Sequence, residues 1–148
     1  MITPKKKKLK KEGNRYQTYN YNNDYTVYYH VLNSSNTPKH IGICEGIETG
    51  LSIMQLNKEL NLTMYCLLGT SNMSKFIIGR ETLGKVKSIT IYGDNDTAGE
   101  KASRGVYNNL VLIKQAFGLE CKVKTEKPNI TGDYNDYLLT IKLGQNGK

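Results

Sequence analysis

Two aspartates separated by one residue stand where they could hold a metal ion. Asp94 and Asp96 follow residues 89–92, whose β-branched and aromatic side chains predict a buried strand. In extended geometry, residues two apart point to the same side, so the two carboxylates repel each other unless a cation lies between them. Mg²⁺ is commonly held by carboxylates together with water and phosphate. The alternative is an Asx-rich turn that caps the following helix.

Acidic residues also follow two other predicted strands. Glu45 comes directly after the predicted strand at residues 39–44, and Asp133 and Asp136 come after the one at residues 120–124. Because the carboxyl ends of parallel strands meet at one edge of a sheet, we expect all these carboxylates at that edge, where ligands of open α/β sheets bind. Such a cluster favours one or two Mg²⁺ ions, with Mn²⁺ as a substitute, that bind the phosphates of a nucleotide or nucleic acid.

The elements that would position these residues alternate between strand and helix. The predicted order is β-α-β-(α)-β-α-β, with helices at residues 47–60 and 100–117. Residues 70–83 are interrupted by Ser, Asn and Gly and predict one short helix near residues 73–78. The alternation is typical of the α/β class and predicts a central, mostly parallel four-stranded sheet with helices on both faces.

Three segments resemble, in order, the three motifs of the Toprim domain family. They read ICEGIETGLSI from residue 43, ITIYGDNDTAGEKAS from residue 89 and TGDYNDYL from residue 131. The resemblance covers about residues 39–143, and the wording is most similar to Toprim domains of primase-like proteins from plasmids, phages and conjugative transfer. It implies a Rossmann-like Toprim fold, which primases, topoisomerases and some nucleases share, and phosphoryl or nucleotidyl transfer on nucleic acid.

The resemblance assigns roles to the residues that match the first two motifs. Glu45 matches the acid of the first motif, which serves as general acid/base or helps to hold metal. Asp94 and Asp96 match the pair that coordinates Mg²⁺ in the second motif. The resemblance therefore implies a catalytic role for Glu45 and a metal-binding role for the two aspartates.

The late metal-binding motif departs from the family pattern. Asp133 matches its first acid, and the primase pattern usually has a second Asp two residues further. This chain has Asn135 at that position and Asp136 one residue later. Either residue could be the second ligand, and we assign Asp136 to the metal site together with Asp133.

Positive charge is concentrated at the start of the chain. Residues 1–15 carry +6 of the formal net charge of +8. A basic arm fits a polyanionic partner such as nucleic acid, and a solvated tail explains it equally well. Two cations early in the predicted long helix could reach a phosphate, although a solvated helix face is the favoured alternative. The candidate nucleic-acid-binding residues are Lys5, Lys6, Lys7, Lys8, Lys10, Lys11, Lys101 and Arg104.

The residues before the predicted domain are rich in tyrosine. Six tyrosines lie between residues 15 and 32, among polar side chains. They could stack on the bases of a single strand, but a β-hairpin or irregular strand at residues 25–32, packed on the edge of the domain, is the favoured interpretation. We therefore divide the chain into a basic, Tyr-rich N-terminal segment at residues 1–38, partly disordered or an edge hairpin, and a Toprim domain at residues 39–148.

Composition argues against a structural zinc site, a membrane span and a signal for export. Cys44, Cys66 and Cys121 form no CxxC or Cys/His cluster, which argues against structural zinc and favours buried free thiols. No apolar run approaches the ~20 residues that span a bilayer. The N-terminus also lacks the apolar core of a signal peptide. We therefore expect a cytoplasmic protein with no membrane partner.

These observations favour a Mg²⁺-dependent Toprim domain of a DNA primase-like protein, with single-stranded DNA template and nucleotides as partners. Bacterial-type primases also carry a zinc-binding domain and a basic segment before Toprim, and this chain has no zinc ligands. We therefore expect a fragment of a larger protein, one with helicase or relaxase domains, that is not active alone. The alternatives are a Toprim metal-dependent nuclease and a non-catalytic nucleic-acid-binding remnant.

Overall fold

Six strands form one sheet in the computed structural model of the chain, which describes residues 15–19, 26–69, 72–73, 76–130 and 133–146. The strands are β1 (Arg15–Tyr19), β2 (Thr26–Leu32), β3 (His40–Cys44), β4 (Thr63–Cys66), β5 (Ser88–Tyr92) and β6 (Lys122–Glu126). Their order across the sheet is β1-β2-β4-β3-β5-β6.

The four strands β4-β3-β5-β6 run parallel to one another, as the alternation of strands and helices predicted. Ile41 of β3 pairs with Thr63 of β4 on one side and with Ile89 of β5 on the other, and Ile89 pairs onward with Val123 of β6. The chain moves from β3 to β4 in one direction across the sheet and from β5 to β6 in the opposite direction. The winding therefore reverses between β3 and β5, which is where open α/β sheets leave a ligand-binding crevice.

The α-helices whose bounds lie within the described ranges cover the sheet, and residues 72–73 are helical as well. These α-helices are α1 (Ile47–Leu56), α2 (Arg80–Lys85), α3 (Thr97–Phe117) and α4 (Tyr134–Asn146), and a short 3₁₀ helix (Lys58–Leu60) follows α1. Helix α1 packs against α4, and α2 packs against α3. The long helix α3 ends at Gly118, whose positive φ of 62° closes the last turn. None of these helices is long and apolar enough to cross a membrane.

Alternate side chains of the central strands pack in two layers, one on each face of the sheet. One cluster joins isoleucines of β3 and β5 to α3, with Ile41, Ile43, Ile89, Ile91, Val106 and Leu110 fully buried at its centre. The other cluster joins the intervening strand residues to α1 and α4 and contains Cys44, Ile53, Met64, Cys66, Tyr92 and Tyr134. Because successive residues of a strand point to opposite faces, both faces of the sheet are covered by helices, as predicted.

The first two strands extend the sheet beyond β4 as an antiparallel pair. Val31 of β2 pairs with Tyr65 of β4, and β1 pairs along β2. The ring of Tyr29 lies 5.6 Å from the ring of Tyr65 and 5.5 Å from that of Phe76, so β2 packs on the core. The sheet thus has two strands more than the four predicted. The division of the chain at residue 38 stays a prediction.

The segment between β4 and β5 differs from the predicted helix near residues 73–78. Residues 72–73 are helical but residues 76–79 are not, so the predicted helix does not extend to residue 78, and a separate helix, α2, follows at Arg80–Lys85. Phe76 and Ile78 are buried whereas Ile77 is 56% exposed, so these residues alternate as an extended chain does. The fully buried Leu83 then anchors α2 in the core.

Candidate metal centre

Two acidic residues lie at the ends of the two central strands. β3 and β5 pair in parallel, Glu45 directly follows β3, and Asp94 is the second residue after β5. The two residues therefore stand at the carboxyl edge of the sheet, on either side of the point where the winding reverses. Both are partly exposed, so a ligand can reach them from solvent.

Other acids lie close enough to Asp94 to change its protonation. Burial, followed by the negative charges of Glu45, Asp133 and Asp96, raises the pKa of Asp94 from 3.8 to about 6, and a hydrogen bond with Glu45 acts in the same direction. Asp94 is thus within electrostatic reach of three other predicted acids. We call Glu45, Asp94, Asp96 and Asp133 the acidic cluster.

Asp96 also holds the start of α3. Its Oδ1 accepts a hydrogen bond from the backbone N–H of Gly99 at 2.6 Å, which is the geometry of an N-cap. The helix-capping alternative considered for the sequence is therefore correct for this oxygen. A carboxylate has two oxygens, so a cap does not prevent Asp96 from facing a cation with the other one.

Gly99 lets the acidic turn approach α3 closely. A Cβ at this position would lie 2.5 Å from the carbonyl oxygen of Asp94 and 2.9 Å from its backbone nitrogen. No side chain fits between the two backbones without moving one of them. Gly99 therefore helps to fix where Asp94 sits after β5.

Asn95, between the two aspartates, has a role that the sequence did not reveal. Its Nδ2 donates hydrogen bonds to the carbonyl oxygens of Pro128, at 3.2 Å, and Ile130, at 2.9 Å. These bonds fasten the loop between β6 and α4 to the turn after β5, and Asp133 follows that loop at the start of α4. Asn95 is thus a positioning residue for the late acidic motif.

The two late aspartates cap α4 reciprocally. Oδ1 of Asp133 accepts from the backbone N–H of Asp136 at 2.9 Å, and Oδ2 of Asp136 accepts from the backbone N–H of Asp133 at 3.4 Å. Asn135 instead accepts a hydrogen bond at 3.2 Å from the hydroxyl of Ser52 on α1. Both candidates for the second late ligand therefore have structural partners, and the metal-binding role of Asp136 stays a prediction.

The number of converging carboxylates decides what kind of cation site can form. Within the part of the chain that the structure describes, no three His, Cys, Asp or Glu side chains are grouped so that they could enclose a metal ion. Mg²⁺ does not require this, because it keeps several waters and is usually held by one or two carboxylates plus substrate phosphates. Glu45 and Asp94, whose carboxyl groups act on each other at the ends of adjoining strands, meet that smaller requirement. The residues fit a Mg²⁺ ion that a phosphate ligand completes.

The predicted basic contacts fall in two places. The lysines of the N-terminal run, which are Lys5, Lys6, Lys7, Lys8, Lys10 and Lys11, lie outside the described residues. Lys101 and Arg104 are exposed on α3. Arg104 borders a cleft of about 450 Å³ between α3 and the end of β6, and Asp94 borders the same cleft. One of the predicted basic residues and one of the predicted acids therefore border the same cleft.

Comparison with known proteins finds one matching family model and similar solved structures. A family model described as Toprim domain matches residues 40–141. The primase fragment of the bacteriophage T7 primase-helicase protein is similar in structure, with a TM-score of 0.47 and 21% identity over 76% of this chain and 41% of that chain. A DNA primase domain from Pseudomonas aeruginosa has a TM-score of 0.45 and 16% identity over 75% of this chain and 34% of that chain.

The chain thus spans less than half the length of either similar structure. No curated protein matches it in sequence. The family model, in contrast, extends over more than half of the chain and includes all three acidic segments at the strand ends. The chain therefore belongs to the Toprim domain family.

Proposed function

We propose that the chain is a Mg²⁺-dependent Toprim domain of a DNA primase-like protein, which acts in nucleotidyl or phosphoryl transfer on nucleic acid. The proposal depends chiefly on one observation, the Glu45–Asp94 pair at the ends of adjoining parallel strands, where burial and crowded negative charge raise the pKa of Asp94 to about 6. Strongly shifted acids at a strand-end crevice are typical of functional sites. The wording EGIET and DNDTAG around the two residues supports the primase type over other Toprim classes.

In the proposed reaction, the 3′-hydroxyl of a growing strand attacks the α-phosphorus of a nucleotide, and pyrophosphate leaves. A Mg²⁺ ion, or Mn²⁺ in its place, would neutralise charge on the phosphates when bound. Asp94 would hold the ion after giving up its proton, with Asp96 and Asp133 as further carboxylates. Glu45 would accept the proton of the attacking hydroxyl, as a general base does.

A thermal-unfolding titration with MgCl₂ tests the metal site. We expect Mg²⁺ to raise the melting temperature of the wild type in a saturable manner, because a ligand that binds the folded state stabilises it. Asp94→Asn removes one carboxylate and should abolish this rise. Glu120→Gln, an exposed acid away from the cluster, is the matched control and should behave like the wild type. An equal response of Asp94→Asn and wild type contradicts the proposed site.

Activity is tested separately from metal binding. The purified chain, single-stranded template, ribonucleotides and Mg²⁺ are incubated and the products are examined for primers and for template cleavage. Metal-dependent cleavage without primer synthesis would favour the nuclease class of Toprim reactions. Absence of both products, with Mg²⁺ stabilisation retained, would support a domain that needs further parts of a parent protein.

One observation favours a second candidate, a non-catalytic nucleic-acid-binding domain. The primase pattern has a second late Asp where this chain has Asn135. The Asn135 side chain carries no charge, and its Oδ1 accepts a hydrogen bond from the hydroxyl of Ser52. A weakened late motif is expected in a domain that has lost catalysis. Binding of single-stranded DNA that persists in EDTA, is unaffected by Asp94→Ala and falls steeply with salt would support this candidate.

The cellular setting is proposed on the resemblance of the motifs. A plasmid, phage or conjugative primase-like protein with helicase or relaxase domains would supply the missing parts, and the cytoplasm would be its location.

A further inference from the structure

Two thiols lie side by side on the face of the sheet that α1 and α4 cover. Cys44 ends β3, Cys66 ends β4, and the two residues pair directly in the register of these parallel strands. Their Sγ atoms are 3.7 Å apart, although the residues are 22 positions apart in the chain. Both residues are fully buried. The fold thus brings together two of the chain's three cysteines.

The strand pairing suits a disulfide bond between these two residues. Neighbouring strands lie about 4.7–4.9 Å apart, which is within the roughly 4.4–6.8 Å that separates the Cα atoms of disulfide-bonded residues. Because directly paired residues point to the same side of a sheet, both side chains lie on the face that α1 covers. Rotation about the Cα–Cβ bonds can bring the sulfurs from 3.7 Å to bonding distance. Bond formation therefore requires no change in strand register.

The first turn of α1 controls access to the two sulfurs. Buried thiols are ordinarily inert because an oxidant does not reach them. Here Gly50 packs against both sulfurs, since a Cβ on it would lie 2.7 Å from Sγ of Cys66 and 3.2 Å from Sγ of Cys44. The helix is weakly held at this end, because its N-cap, Gly46, makes no side-chain hydrogen bond and a glycine inside a helix lowers its stability. Local opening of this turn would uncover the pair to a small reagent.

We propose that Cys44 and Cys66 form a reversible disulfide when the folded chain meets a hydroperoxide. One sulfur attacks a peroxide oxygen and the O–O bond breaks, so that the sulfur becomes a sulfenic acid and the other oxygen leaves with the thiol proton as water. The second sulfur then forms the S–S bond and displaces the sulfenic oxygen, which leaves with the second thiol proton as water. Two thiols are thereby oxidised by two electrons, and one hydrogen peroxide is reduced to two waters. An added dithiol reverses the reaction by thiol–disulfide exchange. The proposal does not depend on the proposed function.

The third cysteine provides an internal control for the pair. Cys121 is also buried, but it belongs to the core cluster on the opposite face of the sheet. It therefore has neither of the other thiols beside it. Oxidation that spares Cys121 separates the proposed reaction of the pair from a general reaction of unfolded chains.

Peptide mapping of the full chain after treatment with hydrogen peroxide tests the proposal. The peroxide is removed with catalase, the chain is unfolded, the remaining thiols are alkylated, and the mass is measured before and after trypsin digestion. Lys58 lies between Cys44 and Cys66 in the sequence, so trypsin separates them unless a disulfide joins their peptides. The variants are Cys44→Ala and Cys66→Ala, and Cys121→Ala is the matched control.

We expect the wild type to lose two alkylatable thiols and about 2 Da, the mass of two hydrogen atoms. Peptides 40–58 and 59–75 should be linked, Cys121 should remain a thiol, and dithiothreitol should restore all three thiols. Cys121→Ala should form the same link, whereas Cys44→Ala and Cys66→Ala should form none.

Three results would overturn the proposal, and all can be read from the wild type alone. The first is retention of all three thiols at peroxide concentrations that oxidise methionines of the same chain. The second is conversion of Cys44 or Cys66 to sulfinic or sulfonic acid without a link between their peptides. The third is oxidation of Cys121 as fast as the pair, which would mean that the whole chain unfolds before it reacts.

Discussion

The Asp94 carboxyl group binds a proton more tightly in the folded chain than in the unfolded chain, because its pKa rises from 3.8 to about 6 on folding. Between these values the folded state holds more protons than the unfolded state. The free energy of unfolding therefore falls as pH rises through this window and stays lower above it. The deprotonated Asp94 thus reduces stability at neutral pH, as is common where a site must carry charge.

Asp94→Asn should therefore stabilise the metal-free chain at pH 7.5. We expect a gain of about 1 kcal/mol, less than the full pKa shift implies, because the group is partly exposed and solvent screens its charges. The gain should shrink as pH falls and disappear near about pH 3, below the unfolded-state pKa of 3.8, where the wild-type carboxyl is protonated in both states. Urea unfolding in EDTA at the two pH values measures it.

Asp136→Asn provides the comparison for this measurement. It removes a charge from the exposed side chain that caps α4 rather than from the centre of the cluster. We expect it to lower stability at pH 7.5, by a few tenths of a kcal/mol, since Asn also caps helices. A loss of stability in Asp94→Asn at pH 7.5 would contradict this account, because it would mean that the folded chain stabilises the negative charge of Asp94.

Sequence patterns predict the acids of the cluster better than the residues that support them. Glu45 and Asp94 were predictable because they come one and two residues after apolar runs that must be buried strands. The spacing of Asp133 and Asp136 is that of a reciprocal helix cap. The cap could have been predicted from this spacing, whereas the sequence analysis assigned both residues only to the metal site. Asn95 was not predictable, because its acceptors lie more than thirty residues away and depend on how β6 and α4 pack.

Asn95→Ala tests that positioning role. Loss of two hydrogen bonds to buried or partly buried carbonyls should lower the free energy of unfolding by about 1–2 kcal/mol. Amide hydrogen exchange should increase in the loop before Asp133. Asn129→Ala, an exposed amide in the same loop, should have little effect on either measurement. Similar behaviour of the two variants would show that the bonds of Asn95 do not hold the loop.

At the scale of elements, α3 is the helix on which the geometry of the cluster depends most. The sequence predicted its start at residue 100, and the structure starts it at Thr97 because Asp96 caps it. Its first turn then lies directly against the backbone of Asp94, with Gly99 at the contact. The boundary could not be predicted from apolar spacing, since the first turn is fixed by a cap and a backbone contact.

Two glycines of α3 give a matched pair of substitutions. Gly99→Ala places a Cβ 2.5 Å from the carbonyl oxygen of Asp94, so the backbone must move, and we expect a loss of about 1–3 kcal/mol. Gly105→Ala meets open space and should instead stabilise the helix by about 0.5–1 kcal/mol. Urea unfolding measures both. The Mg²⁺ response should be weakened only in Gly99→Ala, and equal effects of the two substitutions would contradict this account of the turn.

At the scale of the whole molecule, positive charge is distributed unevenly along the chain. Most of the net positive charge lies in the first fifteen residues, so the rest of the chain is nearly neutral. Overall composition could therefore suggest a polyanion partner, but it could not show whether the folded domain or the arm binds it. The border of the cleft between α3 and β6 carries three carboxylates (Asp94, Glu100 and Glu126) and two cations (Arg104 and Lys127), which favours the arm as the source of non-specific attraction.

Deletion of residues 1–11 tests this division of labour. We expect weaker binding of single-stranded DNA and a smaller dependence on salt, by up to about 0.7 in the logarithmic slope for each of the lysines lost. The melting temperature and the Mg²⁺ response should be unchanged. The same salt dependence with and without the arm would assign the binding to the folded domain.

The sheet ends at β6, the last strand in its order, and that end has a consequence for how molecules of the protein meet in concentrated solution. The side chains of Lys122, Lys124 and Glu126 are exposed on this strand, and the last two are 3.2 Å apart as an ion pair. A strand from another molecule could add here only by crowding these charges. The row of open backbone groups along this edge is thus protected from sheet-to-sheet aggregation, and neutralising the lysines would be expected to expose it.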